Sequence, residues 1–397
     1  MKKPGKRLRN FFEVLYKRKR SGFTMVEFLI GSSIMVAVIL GAMSLYVTSN
    51  KLTVDHRQYA ELQNNVRAAM YFLTRDIRSA GSGLTLDIAG YFLEGQDSFS
   101  TGPPTGDYIK VLGNFDDIVS LRIEDYQGAS SQASLYDQEV KHSPYPCPEF
   151  FEGKIWLFIS TKCPGCFAYR YIDPGHFQGC DTGNAHFEFS HGQNPAVNPP
   201  GGLSDTGCDS DCFDDAIITI GDIRQYWLDT TGNPGDYPNL NLVTGSDGYL
   251  GEKGVLYVTT YSNQAGSQIV HMPLARNIET MQFRYNGDFD GDGTLDGFQE
   301  WDNANWTILG TEDNAAKEAK LAIISAIRQV RVWVVGRTPR KFVSVHGTPA
   351  DNSHLYRRPG VANSNAATED DMHRRFVLTS VVNIRNMSLN LYNLGVR

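Results

Sequence analysis

The chain lacks the short motifs that mark common enzyme sites. Its 397 residues contain no Gly-x-Ser-x-Gly nucleophile turn, no glycine-rich phosphate loop and no His-Glu-x-x-His metal helix. Histidine is sparse, with nine residues in the chain, and His142, His176 and His186 are scattered among the loops of the cysteine-rich region. These absences give no support to catalysis, and we expect the protein not to be an enzyme.

Proline is absent between residues 23 and 79, and charge is nearly absent from the first part of that stretch. The apolar run from Phe23 to Val47 contains one charged residue, Glu27. Because about 20 apolar residues cross a bilayer as a helix, this run predicts a membrane-spanning helix. An acidic side chain at the centre of such a helix costs roughly 2.5–3.5 kcal/mol. Glu27 therefore needs a specific role.

A basic leader precedes the apolar run. Residues 1–22 hold nine of the 37 lysines and arginines but only one of the 44 acidic residues, Glu13. Such an excess of basic residues keeps a segment on the cytoplasmic side of a membrane. Without the leader the chain has 28 basic and 43 acidic residues, a net charge of −15. This charge repels phosphate backbones, so we expect no nucleic-acid binding.

Cleavage between Gly22 and Phe23 would give Glu27 a cationic partner. The new α-amine would lie four residues upstream of the carboxylate, which is about one helical turn. In a stack of parallel helices with a small axial offset, the amine of one subunit could reach the carboxylate of its neighbour. Cleavage would therefore favour assembly into a filament.

The segment Ser21-Gly22-Phe23-Thr24-Met25-Val26-Glu27 resembles the class III signal of type IV pilins and pseudopilins. The resemblance implies that a prepilin peptidase cuts after Gly22 and methylates Phe23, and that Glu27 is the filament-assembly residue. The alternatives are an uncleaved signal anchor and a secretory signal peptide. A secretory signal has an apolar region of only about 7–15 residues, and neither alternative explains Glu27.

The polar stretch that follows, residues 48–80, predicts the amphipathic half of the same helix. Its apolar residues recur at gaps of three and four and form one stripe, which predicts a buried face. Gly81 and Gly83 predict the end of the helix. The members of the stripe are Tyr59, Leu62, Val66, Met70, Leu73 and Ile77.

Three further segments narrow the resemblance to the PilW and GspJ subgroup of minor subunits. Residues 67–81 look like the helix end of that subgroup, and residues 327–337 and 374–386 are similar to the two late strands of PilW proteins. The resemblance implies that the partners are other minor pilins, the major pilin, the prepilin peptidase and the inner-membrane assembly platform. It also implies a single-pass inner-membrane precursor with a cytoplasmic N-terminus, which later joins an extracellular pilus.

The remaining chain, residues 84–397, predicts an exported globular head rich in antiparallel β-structure, on which the helix packs. The predicted fold class is therefore α+β. Segments rich in Gly, Pro, Asn and Ser predict long loops at residues 128–143, 173–207 and 232–251. The strand predictions are Val119–Ile123, Lys154–Ser160, Ala168–Ile172, Ala216–Ile220, Val255–Tyr261, Gln268–Met272 and Met281–Tyr285.

Six cysteines lie on the exported side, within the cysteine-rich region 140–215: Cys147, Cys163, Cys166, Cys180, Cys208 and Cys212. An even number of cysteines in an oxidising compartment favours disulfides, with fifteen possible pairings. Zinc bound by Cys163, Cys166, Cys208 and Cys212 is an alternative, and so is redox chemistry at the Cys-x-x-Cys pair. No thioredoxin-like pattern surrounds that pair.

An acidic loop at residues 288–300 has the spacing of a calcium loop. Asp288, Asp290, Asp292 and Asp296 occupy positions one, three, five and nine, and the Thr294 carbonyl would be the seventh-position ligand. Gly293 stands at the sixth position, which requires a sharp turn. The closing position holds Gln299, and Glu300 follows one residue later, so either could close the site. The alternative is an acidic, solvated turn without a metal.

These observations predict a minor pilin that helps to initiate type IV pilus assembly and lies at or near the pilus tip. A GspJ-like minor pseudopilin of a type II secretion system would use the same helix chemistry. From another class, the head could be a calcium-dependent adhesin or ligand-binding module carried on the pilus.

Overall fold

The structure of the chain is a computed structural model. Residues 1–21 of the leader and the end of the chain beyond residue 388 lie outside the described residues. The structure describes residues 22–84, 90–97, 106–113, 120–127, 132–136, 155–163, 167–178, 186–189, 210–220, 222–237, 240, 242, 248–261, 269–308, 314–341, 355–362, 364, 366 and 371–388.

Helix α1 spans 54 residues, Met25–Arg78. The chain forms two compact units, and their boundary within α1 lies between Arg57 and Gln58. The helix stops before Gly81, which adopts a φ of 71°, a left-handed conformation that glycine adopts at little cost. The Gly81 N–H donates to the Leu112 carbonyl at 2.8 Å. The predicted long helix and its glycine stop are confirmed.

The second part of α1 buries one face in the head. Five residues of the predicted stripe are buried, and Tyr59 is half-buried against the same core. Strand β13, Ile327–Arg337, passes so close to this face that a Cβ on Gly336 would lie 2.5 Å from Val66 Cγ2. A larger residue at position 336 would have to displace the helix side chains. Glycine therefore permits the close approach of β13 to the helix.

Fourteen β-strands make up the described part of the head, together with the short helices α2 (Asn314–Ser325) and α3 (Arg385–Ser388). Every strand pair is antiparallel, which confirms the predicted sheet type. The other strands are β1 Leu93–Gln96, β2 Tyr108–Gly113, β3 Ser120–Gln127, β4 Gln132–Leu135, β5 Ile155–Ile159, β6 Phe167–Gln178, β7 His186–Phe189, β8 Ile217–Ile220, β9 Asp222–Asp229, β10 Val255–Tyr261, β11 Ile269–Ala275, β12 Ile278–Gly287 and β14 Arg375–Asn383.

The strands form three groups. Five strands form a sheet in the order β1-β2-β9-β10-β11, three form a sheet in the order β12-β13-β14, and six close into a barrel in the order β3-β4-β7-β6-β5-β8. The buried face of α1 and the two sheets share one apolar cluster. A second, largely aromatic cluster surrounds Trp227 of β9. It includes Tyr257 of β10, and also Tyr237 and Tyr249, which lie between β9 and β10 in the chain.

The structure differs from the sequence prediction in two segments expected to be loops. Strand β4 lies within residues 128–143, and the end of β6 together with β7 lies within residues 173–207. Strands β4 and β7 are four residues long, and they pair with each other across more than fifty residues of chain. Because a short strand is specified by its non-local neighbours, local composition could not reveal either one.

A buried carboxylate fastens the end of α1 to the five-stranded sheet. Asp76 is 1% exposed, and its Oδ2 accepts a hydrogen bond from Arg224 Nη1 of β9 at 2.9 Å. The hydroxyl of Tyr226, also on β9, donates to the same oxygen. Arg75 Nε donates to Asp76 Oδ1 at 2.6 Å. A buried charge is tolerated only when it is paired in this way, so Asp76 fixes the position of the helix end on the sheet.

Replacing this carboxylate should destabilise the head. Asp76→Asn leaves Arg224 without its buried anion, and we expect the free energy of unfolding to fall by roughly 3 kcal/mol. Denaturant unfolding of the detergent-solubilised chain, followed by tryptophan fluorescence, measures the change. Glu61→Gln, on the exposed face of the same helix, is the control and should change that free energy by less than about 0.5 kcal/mol. Equal values for the two variants would contradict the anchoring role.

Candidate functional sites

The start of α1 is organised by a reciprocal pair of hydrogen bonds. Thr24 precedes the helix, and its main-chain N–H and its hydroxyl donate to Glu27 Oε2 at 3.0 and 2.9 Å. The Glu27 N–H donates to the Thr24 hydroxyl at 3.2 Å. This is a capping box, in which a threonine and a glutamate three residues later satisfy the free N–H groups at a helix start. Glu27 thus has a local partner within its own chain.

The capping box was not recognised from the sequence, although Thr-x-x-Glu is its signature. Both bonds to the carboxylate use Oε2, and no described residue donates to Oε1. Gly22 and Phe23 lie just before the cap, and the Phe23 side chain is 83% exposed. The carboxylate is therefore oriented by the helix start while one of its oxygens stays available.

The first half of α1 presents apolar side chains on all sides. The residues between Met25 and Val47 are almost all exposed, among them Phe28, Ile34 and Leu40. The helix is long and apolar enough to cross a membrane. An exposed apolar surface of this extent requires lipid or other helices as its surroundings.

The second candidate site is the acidic loop that follows β12. One carboxylate oxygen from each of Asp288, Asp290 and Asp296 lies within 4.8 Å of the other two. Carboxylate oxygens in this arrangement are suitable ligands for a hard divalent cation such as calcium. The structure thus brings together three of the predicted carboxylates.

Hydrogen bonds within the loop hold these carboxylates in place. Asp288 Oδ2 accepts from the Gly293 N–H at 3.1 Å, and Asp296 Oδ2 accepts from the Phe289 N–H at 2.6 Å. Asp288 Oδ1 is buried and accepts no hydrogen bond from any described residue. A buried anionic oxygen without a donor is costly unless a cation approaches it. Gly293 has a φ of 85°, which the predicted sharp turn requires.

The Asp292 carboxylate is not one of the three clustered groups. Its Oδ1 accepts bonds from the Thr294 hydroxyl at 2.6 Å and from the Thr294 N–H at 2.7 Å. These bonds, that of the hydroxyl first, lower the pKa of Asp292 below its ordinary value. Asp292 therefore stabilises the turn in this structure, and its predicted role as a direct ligand is not seen in the cluster.

Both candidates for the closing ligand take part in other contacts. The main chain of Gln299 forms a β-bridge with Tyr285, with both N–H to carbonyl distances at 2.7 Å. Glu300 Oε1 accepts from Arg284 Nη2 at 2.6 Å. These contacts close the base of the loop.

Aromatic rings connect the acidic loop to the core. Phe289, inside the loop, packs on Trp306 with ring centroids 5.2 Å apart. Trp306 contacts Trp301 at 5.4 Å, and Trp301 contacts Tyr285 of β12 at 5.1 Å. The conformation of the loop is therefore linked to the packing of the main apolar cluster.

The described cysteines form one disulfide, Cys163–Cys212, with Cα atoms 5.4 Å apart. It connects the residues after β5 to the short 3-10 turn Ser210–Phe213 that precedes β8. The bond shows that Cys163 pairs with Cys212 and not with Cys166, and it removes both residues from the alternative zinc set. Cys147, Cys166, Cys180 and Cys208 lie outside the described residues, and three pairings remain possible for them.

Comparisons with known proteins show a family similarity in the C-terminal part of the chain. Residues 242–386 match the family described as type IV pilus-assembly protein W, PilW. The match begins well before the late strands that suggested the resemblance, includes β10 to β14, and excludes α1 and the barrel. No curated protein matches the chain.

A solved structure, a type IV-like pilin from Thermus thermophilus, is also similar to the chain. The identity is 9%, the alignment covers 82% of this chain and 98% of that chain, and the TM-score is 0.30. The family match confirms the resemblance predicted from the sequence, and residues 242–386 are similar to the PilW family of type IV pilus-assembly proteins.

Proposed function

We propose that the protein is a minor pilin that helps to initiate a type IV pilus and stays at or near its tip. The observation that carries this proposal is the combination, on one chain, of a PilW-family segment with a long apolar helix that begins directly after Gly22 and Phe23. A filament subunit needs both parts: a helix that can move from lipid into a helix bundle, and a head that packs on its neighbours.

The N-terminal geometry supports a mechanism for assembly. The precursor spans the inner membrane once, with its basic leader in the cytoplasm, until the prepilin peptidase cuts after Gly22 and methylates Phe23. Glu27 Oε2 remains hydrogen-bonded to Thr24. Its Oε1 accepts a hydrogen bond from the Phe23 amine of a neighbouring subunit. Pairing offsets the cost of the carboxylate in an apolar bundle, so the paired state is favoured over the isolated helix in lipid.

The partners under this proposal follow from the same chemistry. Other minor pilins and the major pilin present parallel apolar helices, and the assembly platform of the inner membrane moves each subunit out of the bilayer. The processed chain is acidic, with a net charge of −15, so we expect no nucleic-acid partner.

We propose in addition that the acidic loop binds calcium for a structural purpose. The three clustered carboxylates and the donor-free Asp288 Oδ1 are the features that support it. The ion would hold the loop closed over Phe289 and so brace the aromatic contacts with Trp306. Extracellular calcium is abundant enough for a weak site, with a Kd of roughly 10⁻⁴–10⁻³ M.

Two other functions use parts of the same structure. A GspJ-like pseudopilin of a type II secretion system would share the capped helix and its apolar half. A calcium-dependent adhesin would use the head as its binding surface. The PilW match favours the pilus over the secretion system. Surface binding that is lost when calcium is removed would favour the adhesin.

Mass spectrometry of sheared surface filaments tests processing and location together. We expect the N-terminal peptide of this protein to begin with methylated Phe23. The same peptide should be absent from filament preparations of a strain that carries Gly22→Ala, because the peptidase would not cut that precursor. A filament-derived peptide that still contains residues before Phe23 would contradict the proposal.

Two single variants separate the charge of Glu27 from its capping role. Glu27→Gln can keep the bonds with Thr24, since glutamine also completes a capping box, but it removes the charge. We expect recovery in filaments to fall at least tenfold. Thr24→Ala removes the cap and keeps the charge, so it should lower recovery much less. Equal recovery for Glu27→Gln and the unaltered chain would contradict charge pairing.

Calorimetry on the detergent-solubilised chain tests the metal site. We expect calcium uptake by the unaltered chain and its loss in Asp290→Ala, because that change removes one clustered ligand. Glu300→Gln is the matched control and should titrate like the unaltered chain, since Glu300 pairs with Arg284. Identical titrations for Asp290→Ala and the unaltered chain would reject the site. Loss of calcium uptake in Glu300→Gln would assign Glu300 to the site.

A further inference from the structure

The chain leaves the five-stranded sheet for the barrel and returns from it at neighbouring residues. Strands β2 and β9 are antiparallel neighbours, and the last residue of β2, Gly113, is the register partner of the first residue of β9, Asp222. The intervening segment, residues 114–221, contains all six strands of the barrel. Two cross-strand partners of this kind can be joined by a two-residue hairpin turn. The sheet therefore does not need the segment for its own topology.

The barrel has an apolar core of its own. Trp156 and Phe158 of β5 are fully buried, yet they are not part of the main cluster, whereas the alternate residues Leu157 and Ile159 are. Successive side chains of a strand point to opposite faces, so β5 serves both cores. The other buried apolar residues of the barrel segment that lie outside the main cluster are Leu121, Ile123, Ala133, Leu135, Phe213, Ala216, Ile218 and Ile220.

The barrel is also fastened by contacts internal to the segment. The Cys163–Cys212 disulfide joins the end of β5 to the turn before β8. Beside it, the Ser160 hydroxyl donates to the Cys212 carbonyl at 2.5 Å and accepts from the Cys163 N–H at 2.9 Å. All six cysteines of the chain fall between residues 114 and 221, and the PilW match begins only at residue 242.

We propose that residues 114–221 form an inserted barrel module that unfolds as its own cooperative unit and takes no part in filament assembly. Assembly is carried by the scaffold, namely α1, the two sheets and the intervening turns. The part of this proposal that concerns assembly rests on the proposed pilin function, and the part that concerns folding does not. Among the described residues, the apolar contact of the module with the scaffold is formed by Leu157, Ile159 and the half-buried Ile217.

Native-state hydrogen exchange on the full chain tests the folding part. We expect the amides of β5 and β8 to exchange through an opening with a lower free energy than those of β10, β12 and β13. The double variant Cys163→Ser/Cys212→Ser should lower the free energy of opening for the barrel strands and leave that of the scaffold strands unchanged. One common opening free energy for both sets of strands, or an equal fall in both, would overturn the module.

A deletion tests the assembly part. Replacing residues 114–221 with Asn-Gly gives β2 and β9 a hairpin turn of the favoured type. We expect this chain to be recovered in sheared filaments within about twofold of the unaltered chain. Glu27→Gln, for which recovery should fall at least tenfold, is the control. Loss of a deleted chain that is made and processed would overturn the proposal. If the unaltered chain itself is missing from filaments, the pilin function fails, and the exchange experiment alone decides on the module.

Discussion

The contact on which the rest of the head depends is the close packing of α1 on β13. Gly336 allows the strand to approach Val66 and Leu62, and Asp76 fastens the helix end to β9 through Arg224. The helix therefore bridges both sheets, one by apolar contact and the other by a buried ion pair. Displacing either contact would expose apolar residues of the cluster that the helix shares with the two sheets.

The helix start meets two demands with one residue. In the isolated chain Glu27 closes the helix through Thr24 with one oxygen. The second oxygen is left for a cation, which the proposed cleavage at Phe23 would provide. This division explains how a carboxylate can be harmless before assembly and useful during it, because the cap orients the group without consuming both of its acceptors.

Features with a local physical cause could be predicted from the sequence. The stripe from Leu62 to Ile77 and the stop at Gly81 follow from periodicity and backbone freedom, and the clustering of Asp288, Asp290 and Asp296 follows from loop spacing. Features set by distant partners could not be predicted. Strands β4 and β7 form only through barrel pairing, and the bond of Cys163 goes to a residue 49 positions away. The Asp292 carboxylate accepts hydrogen bonds from Thr294 and is not part of the cluster.

The adjacency of Gly113 and Asp222 has a mechanical consequence. In a filament of the proposed kind, tension that reaches β9 would pass to β2 through direct cross-strand hydrogen bonds. The ends of the segment 114–221 leave the sheet at neighbouring residues. The hydrogen bonds between β2 and β9 would therefore carry the tension, and the segment would carry almost none of it. The sheet would therefore yield before the barrel is stretched, so the barrel would keep its shape under forces that strain the rest of the subunit.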